Sequence, residues 1–219
     1  MVVTDISYEM RTKMNTEVTV HPKLAHYGLV TANLDAMTEW YRKLLGMTVN
    51  HRSKIPVIAR MTHQGPPFSA FAFVSNDEMD HRIVFFEIPK AVVDPDKRQH
   101  TGLQHVAFEC ETLDDLLGTY ARLKGLGITP LWAADHGVGT SFYWEDPDRN
   151  VVEIYVNNFG SPWTATEFLK LGHAGIPAQI DPETMVAARK TGASPWELHE
   201  RAMAGEFTPA EPFDPRMRF

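Results

Sequence analysis

Long apolar runs, cysteines and basic stretches are all scarce in this chain of 219 residues. No apolar run approaches the ~20 residues that span a bilayer, so a membrane-embedded function is not expected. The first sixteen residues, Met1 to Thr16, carry charges and lack a continuous apolar core. They do not read as a secretory leader. Cys110 is the single cysteine, which excludes an intrachain disulfide framework and fits a reducing, cytoplasmic setting. A formal net charge of −7 argues against nucleic acid as a partner, since such binders carry a basic stripe.

What remains is an ordinary globular balance, 43% hydrophobic and 22% charged, long enough for a sizeable core or two packed modules. Ten histidines are generous for the length, so position must decide which of them matter.

The chain repeats itself. Leu24-Ala25-His26-Tyr27-Gly28 and Leu103-Gln104-His105-Val106-Ala107 both place an apolar residue, a histidine and a small residue at alternate positions. On a strand these share one face. Each histidine is followed by Leu-Asp (Leu34-Asp35, Leu113-Asp114), then Tyr (Tyr41, Tyr120), then Leu (Leu44, Leu123), in one register. Leu34, Met37, Tyr41 and Leu44 have helical spacing, as do Leu113, Leu116, Leu117, Tyr120 and Leu123. Asn33 and Thr112 are the expected N-caps, and Gly46 and Gly125 the expected ends.

Strand-like runs then follow: Met47–His51, Ser69–Val74 and Arg82–Ile88 in the first unit, Ile128–Ala133, Thr140–Glu145 and Val151–Val156 in the second. The expected fold is α+β: two tandem βαβββ modules forming one open-barrel-like mixed sheet. Residues 1–20 read as an arm, 21–100 and 101–160 as the two modules, and 161–219 as a C-terminal extension. In that extension Pro182 and Pro195 open helices, and the tail beyond Gly205 is irregular.

Three of the expected strands place one ligand-type side chain each among apolar neighbours: His26, His105 and Glu153. A lone carboxylate in Val151-Val152-Glu153-Ile154 is costly unless it is paired or binds a metal. One histidine in an apolar strand is ordinarily a satisfied packing residue. Two repeat-equivalent histidines with such a glutamate point to a metal. Two imidazoles and a carboxylate suit Fe(II), Mn(II) or Zn(II) and leave positions open for chemistry.

At these residues the chain resembles the vicinal oxygen chelate superfamily, and within it a small, one-domain type I extradiol ring-cleavage dioxygenase. The resemblance spans roughly residues 21 to 160. It is carried by Gly102-Leu103-Gln104-His105-Val106-Ala107-Phe108 and by Phe142-Tyr143-Trp144-Glu145-Asp146-Pro147-Asp148-Arg149-Asn150-Val151-Val152-Glu153. It implies a catechol-type aromatic diol and O2 as substrates, Fe(II) as cofactor with Mn(II) as an alternative, and a homo-oligomer. It assigns His81 as acid–base catalyst, Tyr143 as a contact to a coordinated oxygen, and His136 as a second histidine near the substrate. Phe71, Phe73, Trp132, Phe142, Trp144 and Phe159 are candidate pocket walls. His21, His51, His63, His100, His173 and His199 gain no role.

Two rivals share the scaffold. One is another metal enzyme, glyoxalase-like or epoxide-opening; a glyoxalase takes a fourth ligand from the last strand of the first unit, where Glu87 is the only carboxylate. Glu87 and His81 stand about 20 Å apart along an extended strand, so both cannot serve one metal. The other rival is a metal-free drug-binding protein.

Overall fold

The computed structural model describes residues 19, 21–62, 65–173, 175–214 and 216. Apart from Thr19, the expected arm 1–20 lies outside them, as does His63.

The first module begins with β1 (Tyr27–Thr31) and α1 (Leu34–Leu45) and continues through β2 (Thr48–Lys54), the single turn α2 (Val57–Arg60), β3 (Ala70–Ser75) and β4 (Ile83–Glu87). Asn33 caps α1 through its side-chain oxygen, which accepts from the Ala36 amide at 3.0 Å. Gly46 ends the helix in the left-handed region at φ 67°, a conformation that favours glycine. The buried face of α1 is Leu34, Met37, Thr38, Tyr41 and Leu44, as its 3.6-residue period requires.

The second module repeats this with β5 (His105–Cys110), α3 (Leu113–Gly125), β6 (Trp132–Asp135), β7 (Gly139–Glu145) and β8 (Val151–Asn157). Thr112 and Asp115 form a reciprocal capping box on α3. Gly125 is the last helical residue, but Gly127, at φ 75°, takes the left-handed conformation. The expected strand Ile128–Ala133 starts later, at Trp132, because the chain needs Leu126 to Leu131 to leave the helix.

The α+β class and the two βαβββ units are as expected, and the sheets are open. Hydrogen bonding divides the strands into two sheets, ordered β1-β4-β3-β2 and β5-β8-β7-β6 with one added strand, rather than one continuous sheet. The added strand is β9 (Ala178–Gln179), antiparallel to β6. β1 pairs parallel with β4, and β5 parallel with β8, so β1 and β5 are equivalent edge strands.

Cross-strand registers define two faces per sheet. Ile83, Phe85, Ala72 and Val74 pack under α1; Val152, Ile154, Phe142 and Trp144 pack under α3. Fully burying each such large apolar side chain contributes about 1.5–3 kcal/mol. The modules are tied together by side chains. The Tyr41 hydroxyl donates to Asp146 Oδ2 at 3.2 Å, and Arg122 donates to the Lys43 carbonyl at 2.6 Å, covering the exposed end of α1.

The C-terminal extension packs on the second module. Its helices are α4 (Pro162–Lys170), α5 (Pro182–Lys190) and α6 (Pro195–Met203). The last two were expected from their proline starts; Asp181 and Ser194 cap them. α4 and β9 were not foreseen. Arg189 grips Asp114 at 2.6 Å, and Tyr120 bonds Glu183. Beyond Gly205 the described tail carries no strand or α-helix. No helix among the described residues is long and apolar enough to cross a membrane.

Candidate metal and catalytic site

The Asp146–Asn150 turn sets the register of the β7–β8 hairpin. Asp146 Oδ1 accepts from the Asp148 and Asn150 amides at 2.9 and 2.8 Å, and Arg149 adopts φ 64°. Tyr143 and Glu153 are thereby exact cross-strand partners, on the face away from α3. Glu153 is 8% exposed and surrounded by strand neighbours. Its two oxygens are both engaged: Tyr143 donates its hydroxyl to Oε1 at 3.0 Å, and His105 Nε2 lies 2.9 Å from Oε2.

Burial alone pushes the Glu153 carboxyl up. The hydrogen bonds from His105, Ser141 and Tyr143 together outweigh it, and the group is held below its ordinary value. It is therefore a carboxylate, acceptor only, and this fixes the donor direction along the row. The Tyr143 proton goes to Glu153, so His136 Nε2, 2.9 Å from the Tyr143 oxygen, carries the hydrogen it donates. Burial lowers the His136 imidazole, more than the nearby Glu153 and Asp135 charges raise it. Burial and the Glu153 charge push the Tyr143 phenol up, so it stays protonated.

Four of the six residues singled out from the sequence thus form one row, His105–Glu153–Tyr143–His136. The Tyr143 hydroxyl, expected to contact a coordinated oxygen, lies on Glu153. The other two form a second group at the end of the first sheet. His26 immediately precedes β1 rather than lying in it, and its ring sits 4.2 Å from that of His81. His81 stacks on Phe73 at 4.4 Å and 13°, with Nδ1 held by Asp80 Oδ2 at 2.6 Å. Among the described residues, no three His, Cys, Asp or Glu side chains stand close enough to hold a metal ion. His105 and Glu153 supply one nitrogen and one oxygen donor side by side, which suits a divalent metal; His26 stands with His81 instead.

The aromatic residues divide by strand alternation. Phe71 and Phe73 line the open face of the first sheet with Phe86, and Trp132 stacks on Tyr143 at 4.9 Å. Phe142 and Trp144, flanking Tyr143, point the other way and are fully buried under α3. They are core, not pocket wall. Phe159 packs on Phe168 and Trp196 of the extension. A cleft of about 310 Å³ lies between the modules, lined by Val30, Val93, Lys97 and Leu103, and contains none of the six residues.

Glu87 is occupied elsewhere. Its carboxylate accepts from the Leu34 amide at 3.2 Å and from the Ser69 hydroxyl at 2.9 Å, closing the start of α1. It lies at the end of β4 opposite His81. Glu87→Ala is expected to lower stability by about 1–2 kcal/mol in a urea titration and to leave metal content unchanged. Loss of metal in that variant would restore it as a ligand.

A Glyoxalase/Bleomycin resistance protein/Dioxygenase superfamily model matches residues 23–154, more than half of the chain. The chain belongs to that superfamily. Two relatives from Rhodococcus globerulus extend the match beyond it. Biphenyl-2,3-diol 1,2-dioxygenase 3 is 35% identical over 190 residues, 85% of this chain and 92% of that protein. Biphenyl-2,3-diol 1,2-dioxygenase 2 is 32% identical over 198 residues, 89% and 96% of the two. Among solved structures, a glyoxylase/bleomycin resistance protein/dioxygenase domain from Frankia sp. EAN1pec superposes with TM-score 0.52 at 20% identity. It covers 63% of this chain and 99% of that one, and supports the superfamily fold. The long relatives support an oxidoreductase of the dioxygenase kind.

Sequence reasoning missed the groups behind the site. Asp135, fully buried, and Asn158 and His199, which bond it, were given no role. The one signal was an aspartate closing the apolar strand before His136.

Proposed function

We propose that the chain is an extradiol dioxygenase that cleaves a catechol-type aromatic diol with O2 at a mononuclear Fe(II) site, Mn(II) being acceptable to the same donors. His26, His105 and Glu153 are the proposed ligands. The observation that carries the proposal is the row His105–Glu153–Tyr143–His136, found in a chain whose near-full-length relatives are named biphenyl-2,3-diol dioxygenases.

Bound iron would supply adjacent open positions that hold diol and oxygen together, removing much of the entropic cost of their meeting. The protein's own groups do the rest. Tyr143 and His136 hold the Glu153 carboxylate in one orientation. Because Asp80 engages His81 Nδ1, Nε2 is left to take a proton from a diol hydroxyl and return it later. Phe71, Phe73 and Phe86 offer an apolar surface to the ring. The single cysteine fits a reducing, cytoplasmic setting for this enzyme, whose proposed form is a homo-oligomer.

The test is oxygen uptake by protein purified anaerobically and loaded with Fe(II), offered catechol, 3-methylcatechol and 2,3-dihydroxybiphenyl. Stoichiometric oxygen consumption with a yellow product is expected. Bound metal without uptake on any diol would overturn the proposal.

A further inference from the structure

The carboxylate of Asp135 ends β6 with no exposure to solvent. A buried charge persists only if its lone pairs are filled. Here Oδ1 accepts from the Gly137 amide at 2.7 Å, Oδ2 from Thr140 Oγ1 at 3.1 Å, and both from Asn158 Nδ2 at 3.1 Å. The remaining contact comes from 64 residues away: His199 Nδ1, in α6, lies 2.8 Å from Oδ2 and 3.0 Å from Asn158 Nδ2, and with the Asn158 amide hydrogens turned to the Asp135 oxygens it is the Nδ1–H tautomer that completes the set. His199 is itself 9% exposed and lies against Trp196.

These bonds converge on one short turn. Residues 136–138 join β6 to β7, closed by the His136 amide donating to the Gly139 carbonyl at 2.8 Å. Gly137 takes φ 82°, and a Cβ there would meet Phe168 of α4 at 3.3 Å. On the far side, Phe213 lies against Trp132, held by two 2.8 Å bonds between its backbone and the Gln179 side chain. Parts of the C-terminal extension therefore enclose the turn that presents His136 to Tyr143.

We propose that His199 is a positioning residue. Acting through Asp135, it fixes the β6–β7 turn so that His136 Nε2 meets the Tyr143 oxygen and the Glu153 row is held in line. The catalytic consequence rests on the dioxygenase proposal; the positional one does not. Removing the His199 donor leaves a buried carboxylate short of a partner, and the turn relaxes. A displacement of about 1 Å at a reacting group costs on the order of a hundredfold in rate.

Two variants and two readouts test this. His199→Leu removes the donor, whereas His199→Asn keeps an amide to face Asp135. In the Fe(II)-loaded full chain, His199→Leu is expected to lower kcat by about tenfold or more, with KM and iron content within about twofold of the parent. His199→Asn is expected to recover most of kcat. Independently, nitrogen-15 histidine spectra of the iron-free full chain report the His136 ring, identified by its loss in His136→Gln. The Nε2–H form is expected in the parent, lost in His199→Leu and restored in His199→Asn. An unchanged His136 signal in His199→Leu overturns the proposal, as do equal losses in both variants. If the parent takes up no oxygen with any diol, the dioxygenase proposal fails while the spectra still decide the positional one.

Discussion

His105→Ala is expected to bind no iron and to consume no oxygen with any diol. The parent should carry about one iron per chain by elemental analysis, and the variant less than about a tenth of that. His105 is the side chain in direct contact with Glu153, so its removal deletes a nitrogen donor and frees one carboxylate oxygen. Glu153 keeps its Tyr143 bond. The cost to the metal-free fold is then about 1.5–3 kcal/mol, the worth of one hydrogen bond to a charged group, which a domain of this size survives. Circular dichroism should accordingly stay native. His26→Ala must show the same metal loss, although its ring stands with His81 rather than with His105. Full metal content in His26→Ala would remove His26 from the ligand set and leave His105 and Glu153 in need of another partner.

The difference between those two histidines also marks what the sequence could convey. The repeat made β1 and β5 equivalent, and the structure keeps them so: each is an edge strand parallel to the last strand of its module. Period-2 alternation leaves His105, Tyr143 and Glu153 on one face of the second sheet, and the Asp146–Asn150 turn sets the pairing of Tyr143 with Glu153. These are local relations, written in residues within a few positions of each other or in a repeat. How the first module's His26 stands relative to the second module's pair depends on packing between modules, which no local pattern encodes. Asp135 and His199 were illegible for the same reason. Sixty-four residues separate them, and each, taken alone, reads as ordinary, Asp135 as a strand end and His199 as a mid-helix residue. Phe142 and Trp144 show the opposite failure, since alternation around Tyr143 was sufficient to assign them to the core.

His81→Ala is expected to keep its iron and lose its turnover. General acid–base catalysis by a placed side chain contributes about 10²–10⁴ in rate, so kcat should fall by that order while KM moves little. The ring is well placed for the role. It is flat against Phe73, edged by His26, and tethered through Nδ1 to Asp80, so one nitrogen is committed and the other is available. Asp80→Asn weakens the tether without removing the imidazole and should cost less than His81→Ala. A purely packing role predicts a different pattern: His81→Phe, which preserves the stack on Phe73, would restore activity. Under the catalytic role His81→Phe is as slow as His81→Ala and as rich in iron. Steady-state oxygen uptake with elemental analysis on the three variants separates the two. Wild-type kcat in His81→Phe would assign the proton transfer to another group, and His136, the remaining imidazole in the hydrogen-bonded row, would be the next to replace.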